Sequence, residues 1–217
     1  MKNISIAIDG PAGAGKSSIA KAVAEKLGIL YIDTGAMYRA VTLSIIRNHI
    51  NLEDMESIKC LIEKIDIYIE NNKIYLNGED VTEEIRTQEV NKLVSPVSAV
   101  NCIRKKLVEL QRKMASKDSV IMDGRDIGTN VLIDADIKIF LTASVDERAR
   151  RRYTELKEKG YEVDYESIKQ DIYIRDKRDS SRAVNPLKKA EDALLIDTTY
   201  ISIEDVIDEI LNIVKER

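Results

Sequence analysis

Residues 10–17 read Gly-Pro-Ala-Gly-Ala-Gly-Lys-Ser and fill every fixed position of the G-x-x-x-x-G-K-[ST] pattern. Glycines at 10, 13 and 15 let successive backbone N–H groups turn inward around an anion without Cβ clashes. Those donors, with the positive end of a following helix, favour phosphate. Lys16 is placed to reach the β- and γ-phosphates of a nucleotide, and the Ser17 hydroxyl to bind Mg²⁺. The expected contact with ATP runs through Gly10, Pro11, Ala12, Gly13, Ala14, Gly15, Lys16, Ser17 and Ser18.

Kinases, GTPases and ATPase motors all use such a loop, so a second constellation has to choose among them. A guanine-reading Asn-Lys-x-Asp is missing, the nearest string being Asn91-Lys92-Leu93-Val94. A motor usually carries two adjacent acidic residues after an apolar strand. Here Met122 is followed by Asp123-Gly124-Arg125-Asp126-Ile127-Gly128, a carboxylate at a strand end and an Arg-Asp pair among glycines that admit a ligand closely. Seven of the fourteen arginines fall between Arg148 and Arg182. Guanidinium forks fit phosphate oxygens bidentately, although a solvated helical face paired with nearby Asp and Glu is the plainer alternative. These features favour a small-molecule kinase.

The elements that must position these groups are readable from periodicity. Ile4, Ile6 and Ile8 alternate into a strand ending at Asp9-Gly10. Ile19, Ala20, Val23, Ala24 and Leu27 recur at helical spacing, and Gly28 is a C-terminal stop. Leu30-Tyr31-Ile32 reads as a strand, and Asp33-Thr34 can cap a helix burying Met37, Val41 and Ile45. After a helix near 55–65, Ile67-Tyr68-Ile69 and Ile74-Tyr75-Leu76 alternate with turns at Asn71-Asn72 and Asn77-Gly78. This predicts an antiparallel meander in a substrate-side segment of about 66–95. A long amphipathic helix follows from Val100 to Met114, then buried strands at 120–122 and 137–141, helices over roughly 146–159 and 165–178, a strand at 194–196, and a last helix capped by Ser202. Strand–helix alternation of this kind implies a parallel sheet covered by helices on both faces.

Composition sets outer limits. The 217 residues are 44% apolar and 33% charged, with a net charge of −4, which argues against a general nucleic-acid binder. No apolar run spans a bilayer, and Met1-Lys2-Asn3 leads directly into a strand without a signal-peptide core. The expectation is a reduced, cytoplasmic, monomeric protein with no membrane or nucleic-acid partner. His49 alone excludes a histidine metal centre, and Cys60 and Cys102 are expected to pack as small hydrophobes.

Several segments in one order extend the reading. Residues 33–39 (Asp-Thr-Gly-Ala-Met-Tyr-Arg), 84–90 (Glu-Ile-Arg-Thr-Gln-Glu-Val), 123–128 and 179–184 (Asp-Ser-Ser-Arg-Ala-Val) resemble bacterial cytidylate kinases, and with the phosphate loop the likeness runs from residue 4 to about 210. The resemblance implies an α/β fold, a P-loop NTPase with a three-layer α/β/α core and parallel sheet, a helical lid, and a small antiparallel β insert in the region that binds the monophosphate. It divides the chain into core (about 1–33, 100–147 and 185–217), monophosphate-binding region (about 34–99) and lid (about 148–184). It implies direct in-line transfer from ATP with Mg²⁺ to CMP or dCMP.

By the same resemblance, Thr34 and Arg39 hold the nucleotide, with Arg39 on its phosphate, and Ser95, Arg104, Arg125 and Asp126 read the cytosine ring. A carboxylate accepts from the C4 amino group while Arg or Ser donates to N3 and O2. Uracil would leave a buried partner unpaired, which can be worth roughly 10⁴-fold in discrimination. Asp179 and Arg182 resemble a ribose-contacting pair. Lys16, Arg148, Arg151, Arg152, Arg175 and Arg178 are the candidates for stabilising the transferred phosphoryl. Plainer roles stand beside these: Thr34 as a helix cap, Arg104 as a surface charge, Asp179 and Arg182 as a helical ion pair. A P-loop kinase for UMP, AMP or a small metabolite, and a non-catalytic ATP-binding regulatory module, are the alternative functions.

Overall fold

The computed structural model describes residues 3–70 and 72–216; Asn71, expected in a turn, lies outside the described residues, as do Met1 and Lys2. The first strand, β1 (Ser5–Asp9), is buried from Ile6 onward. Only a strand covered on both faces needs apolar side chains at successive positions, so Ile6-Ala7-Ile8 sits at the centre of the sheet. With β2 (Leu30–Asp33), β6 (Val120–Gly124), β7 (Ile137–Thr142) and β8 (Leu194–Asp197) it makes a five-stranded sheet in the order β2-β6-β1-β7-β8. β1 runs parallel to β6 and β7, and β7 parallel to β8. Both neighbours of β1 come from far along the chain, so the loops leaving β1, β6 and β7 emerge at one edge, where open α/β sheets bind ligands.

Contacts group the chain into two units, Met1–Tyr31 with Asp118–Arg217, and Ile32–Lys117. In the first, α1 (Lys16–Leu27) buries Ile19, Ala20, Val23 and Ala24, and α8 (Ile203–Lys215) adds Val206, Ile207 and Ile210 to the same core as Ile6, Ile8, Ile121, Ile139 and Leu141. Each such isoleucine contributes about 2 kcal/mol by leaving water. Gly28 ends α1 at φ 64° while the Ile29 N–H returns to the Ala24 carbonyl. Helices α6 (Val145–Glu158) and α7 (Tyr165–Ser181) form a hairpin with its own small centre of Ala149, Ile168 and Ile172.

The second unit packs α2 (Thr34–Arg47), α3 (Met55–Lys64), α4 (Gln88–Ala99) and α5 (Asn101–Ala115) with the predicted meander β3 (Ile67–Glu70), β4 (Lys73–Leu76) and β5 (Glu79–Asp80). The meander pairs Ile67 with Leu76 and Ile69 with Ile74 on one face and stacks Tyr68 on Tyr75 on the other, ring centroids 4.8 Å apart. Arg47 ties it to α2, donating to Glu79 at 2.7 and 2.9 Å and to Glu84 at 3.1 and 2.5 Å.

One helix was not expected, and two expectations need correction. Within the segment of about 66–95 the meander closes by Asp80, and the unforeseen α4 begins at Gln88. Pro96 and the β-branched Val90, Val94 and Val97 argue against a helix locally, but burying those valines on one face outweighs propensity. The cap of α2 is Asp33, accepting from the Ala36 N–H at 2.8 Å, so Thr34 is a buried residue of the first turn and not the cap. Cys60 does not pack inside; it is exposed on α3.

The loop after β1 leaves no space for a side chain at its first residue. Gly10 holds φ 149°, and a Cβ there would meet the Leu141 carbonyl oxygen at 2.0 Å. Gly10→Ala is therefore expected to lower unfolding free energy by about 3 kcal/mol, a loss that urea titration would measure.

Candidate active site

The phosphate loop joins β1 to α1 with Gly10, Gly13 and Gly15 at positive φ. Gly15 precedes the helix in the left-handed region, and no side chain caps α1. Its first N–H groups are thus left to a ligand. Lys16 is buried and its Nζ donates to the Pro11 carbonyl at 2.8 Å, so the ammonium curls over its own loop. Burial and then the charge of Arg125 hold its pKa well below that of a free lysine. A bound polyphosphate would supply the countercharge that restores the cation.

At the end of β6, Asp123 accepts from the Ser17 hydroxyl at 2.8 Å on one oxygen and from the Tyr31 hydroxyl at 2.9 Å on the other. Asp123 was not among the residues expected to act. The signal was present in the apolar run Val120-Ile121-Met122 stopping on a carboxylate, but only the sheet order brings that carboxylate to the phosphate loop. A hydroxyl and a carboxylate side by side suit a hard divalent cation that keeps most of its shell as water and phosphate. Among the described residues no cluster of three or more His, Cys, Asp or Glu competes for that role.

Beyond Asp123 the chain makes a single π turn, Ile127–Val131. Asp126 precedes it, buried, and accepts from the Asn130 amide at 3.0 Å. Arg125 donates to Asp179 of α7 at 2.9 Å, and Arg175 lies 4.0 Å from the same carboxylate. Burial pushes Asp179 up, but Arg125, Arg175 and Arg182 together hold it below an ordinary aspartate. Arg182 donates to the Asn185 carbonyl at 2.9 Å. Asp9, also outside the expected set, accepts from the N–H groups of Ile127 at 2.7 Å and Gly128 at 2.8 Å.

The hairpin arginines separate by environment. Arg148 is buried and donates to the carbonyls of Ala143 at 2.9 Å and Ala12 at 3.0 Å and to Asp176 at 2.5 Å, bracing the phosphate loop against α6 and α7. Arg151 bonds Glu147 at 2.8 Å and both oxygens of Thr198. Arg152 bonds Glu155 at 2.8 Å along the outside of its helix, and Arg178 is exposed. Arg148 and Arg152, four residues apart, therefore sit in different surroundings.

Thr34, Arg39, Ser95 and Arg104 belong to α2, α4 and α5 of the second unit. Arg104 is not a surface charge: it is 2% exposed, its guanidinium lies 5.7 Å from the Tyr38 ring centroid, and it donates to the Ser98 carbonyl at 3.1 Å. The Ser95 hydroxyl is buried without a hydrogen-bond partner. Arg39 lies over Gly35, where a Cβ would come within 3.1 Å of its guanidinium. A buried hydroxyl without a protein partner, as at Ser95, is suited to receive a polar ligand.

Comparison with known proteins places this geometry. The family model described as Cytidylate kinase matches residues 6–216. Curated proteins named Cytidylate kinase are similar end to end: that of Carboxydothermus hydrogenoformans is 55% identical, with 98% of this chain and 97% of that protein covered. The Bacillus subtilis protein is 50% identical, covering 100% and 98%. Among solved structures, an uncharacterized protein from Eubacterium ventriosum superposes with TM-score 0.55 at 19% identity over 100% of both chains. A shikimate kinase from Bacteroides thetaiotaomicron gives 0.51 at 13%, covering 98% of each, a likeness of fold alone.

Two predictions follow from the electrostatics. Burial raises Asp9 from 3.8 to about 6 against the pull of its two backbone donors. Between those values the native state keeps a proton that the unfolded chain has released, so the contribution of Asp9 to stability falls as pH rises through the window and is constant above it. The stability of the native protein minus that of Asp9→Asn, from urea unfolding, should drop by up to about 3 kcal/mol between pH 4 and 7. Arg148→Met strands the partly buried Asp176 and should cost about 3 kcal/mol, whereas Arg178→Ala should stay within about 0.5 kcal/mol, both read by thermal melts.

Proposed function

The chain belongs to the cytidylate kinase family, a phosphotransferase family acting on nucleoside monophosphates, and from that premise we propose how its residues divide the work of moving the γ-phosphoryl of ATP onto CMP or dCMP. The observation that carries the proposal is the Ser17–Asp123 pair beside a glycine loop with Lys16, in a chain matched almost end to end. The residues Gly10–Ser18 hold the donor phosphates through backbone N–H groups. Ser17 and Asp123 would hold Mg²⁺, which when bound offsets phosphate charge. Lys16 leaves the Pro11 carbonyl for the phosphates it faces.

On the acceptor side Arg39 takes the CMP phosphate, and Thr34, Ser95 and Arg104 line its base and sugar. Asp126 accepts from the cytosine amino group, and Arg125, held by Asp179, presents its remaining N–H groups to the base. Asp179 and Arg182 receive the ribose. No proton need be abstracted, because the acceptor phosphate is already anionic; catalysis is alignment plus countercharge.

Among the arginines, Arg148 serves the loop, since its guanidinium is already engaged by Ala12, Ala143 and Asp176. Arg152 is held by a partly exposed i,i+3 pair worth at most about 1 kcal/mol, and releasing it toward a phosphate costs little. Arg175 and Arg178 supply charge from α7, and Arg151 steadies the loop edge through Thr198. The working divisions are a core (about 1–33, 100–147 and 185–217), a monophosphate-binding region (about 34–99) and a lid (about 148–184) that excludes water. The net charge of −4 argues against a general nucleic-acid binder, and among the described residues no helix is long and apolar enough to cross a membrane.

The test is initial-rate ADP formation from ATP with CMP, dCMP, UMP and AMP at equal subsaturating concentration, with and without Mg²⁺. CMP and dCMP should exceed UMP and AMP by about 10²-fold or more, and omission of Mg²⁺ should abolish turnover. A preference for UMP or AMP would overturn the base-reading assignment, and no turnover with any acceptor would overturn the enzyme.

A further inference from the structure

The π turn after Asp126 is built with more care than a connection between two strands needs. Its backbone closes on itself: the N–H groups of Asn130 and Val131 return to the Asp126 carbonyl at 2.9 and 3.3 Å, and that of Leu132 to Ile127 at 2.7 Å. Two side chains then fix it from opposite ends. Asp9, at the last position of β1 and 4% exposed, grips its opening with one oxygen on each of two successive N–H groups. Asn130, the fourth residue of the turn and half-buried, reaches back to the carboxylate of Asp126 itself. Gly128 allows the turn to sit so low: a Cβ there would lie 3.2 Å from the Lys138 side chain and 3.5 Å from the Asp9 carboxylate. Single π turns recur where a side chain must be aimed.

We propose that Asp9 and Asn130 are positioning residues for base selection, fixing the direction of the Asp126 carboxylate and hence the preference for a base that donates through an exocyclic amino group. This rests on the assignment of Asp126 to the base. Asp9 clamps the backbone immediately after Asp126. The Asn130 amide donates to one carboxylate oxygen, so the anion is oriented and its charge is kept. With that donor removed the carboxylate loses one of the contacts that orient it, and discrimination against a base with a carbonyl at that position would fall. Because Asp9 also ends the strand that leads into the phosphate loop, one residue sets the register between the donor site and the acceptor-reading turn.

Asn130→Ala is the cleaner variant, because Asn130 is half-buried and its amide donates directly to the Asp126 carboxylate. It should raise KM for CMP about tenfold and lower the ratio of kcat/KM for CMP over UMP by about the same factor, while KM for ATP stays within twofold. Asn130→Asp, which places a second carboxylate against Asp126, should be worse than alanine, and Asn130→Gln should restore part of the ratio. Asp9→Asn, which sets an NH₂ against one backbone donor, should shift the same ratio. The native enzyme is assayed in parallel: if it does not prefer CMP, the assignment of Asp126 fails first. If it does prefer CMP, and Asn130→Ala keeps both the CMP KM and the CMP/UMP ratio while melting at the native temperature, the positioning role is wrong. A fall in kcat for CMP and UMP alike, with the ratio unchanged, would equally overturn it and leave a structural role only.

Discussion

Everything at the working edge of the sheet depends on how its central strand ends. β1 is buried on both faces, and its end is fixed at two successive positions: Asp9, its last residue, is bonded to two backbone N–H groups, and Gly10, the first residue beyond it, leaves no room for a Cβ beside the Leu141 carbonyl. From that fixed point one direction leads into the phosphate loop and α1, the other across to the turn that carries Arg125 and Asp126. A buried carboxylate with its pKa raised to about 6 is a costly anchor. Its two short hydrogen bonds recover part of the desolvation, and the rest is the cost of holding two loops more than a hundred residues apart in one register.

Charge at the site is arranged so that the ligand completes it. Lys16 is buried with a carbonyl as its hydrogen-bond acceptor, and burial and Arg125 both disfavour its cationic form. Arg125, Arg175 and Arg182 surround one aspartate. Such a concentration of positive charge destabilises itself, and anionic substrates relieve it. The favourable electrostatics are therefore realised on binding and not in the empty fold, which is the condition for preorganised stabilisation of a transferring phosphoryl.

Much of this was legible in the residues alone. The Gly10–Ser17 spacing, the alternation of Ile4, Ile6 and Ile8, the stop at Gly28 and the turn at Asn77-Gly78 each carry a local physical signature, and local signatures survive folding. What escaped was non-local. Asp9 bonds residues 118 and 119 positions away, and nothing near it in the chain announces a partner. Asp123 meets Ser17 only because the sheet places β6 beside β1. Arg148 and Arg152 occupy the same helical stripe in sequence, yet Arg148 is buried and bonded to Asp176 of α7, whereas Arg152 is half-buried and paired with Glu155 of its own helix. α4 was hidden by Pro96 and by valines whose preference tertiary packing overrides. The base-reading and ribose roles came from family resemblance, since a lone Arg-Asp pair does not specify cytosine.

The α6–α7 hairpin is centred on three buried apolar side chains, Ala149, Ile168 and Ile172, whereas the sheet beneath it shares a far larger core. A segment with so little buried surface opens well before the whole molecule does. Warming would then separate two events that a single melting curve conflates. The hairpin would fray first, displacing Arg152, Arg175 and Arg178 and loosening the brace that Arg148 gives the phosphate loop, while the sheet stayed folded. The temperature at which turnover peaks would lie below the temperature at which the chain unfolds. The gap between them would measure the stability of the hairpin alone.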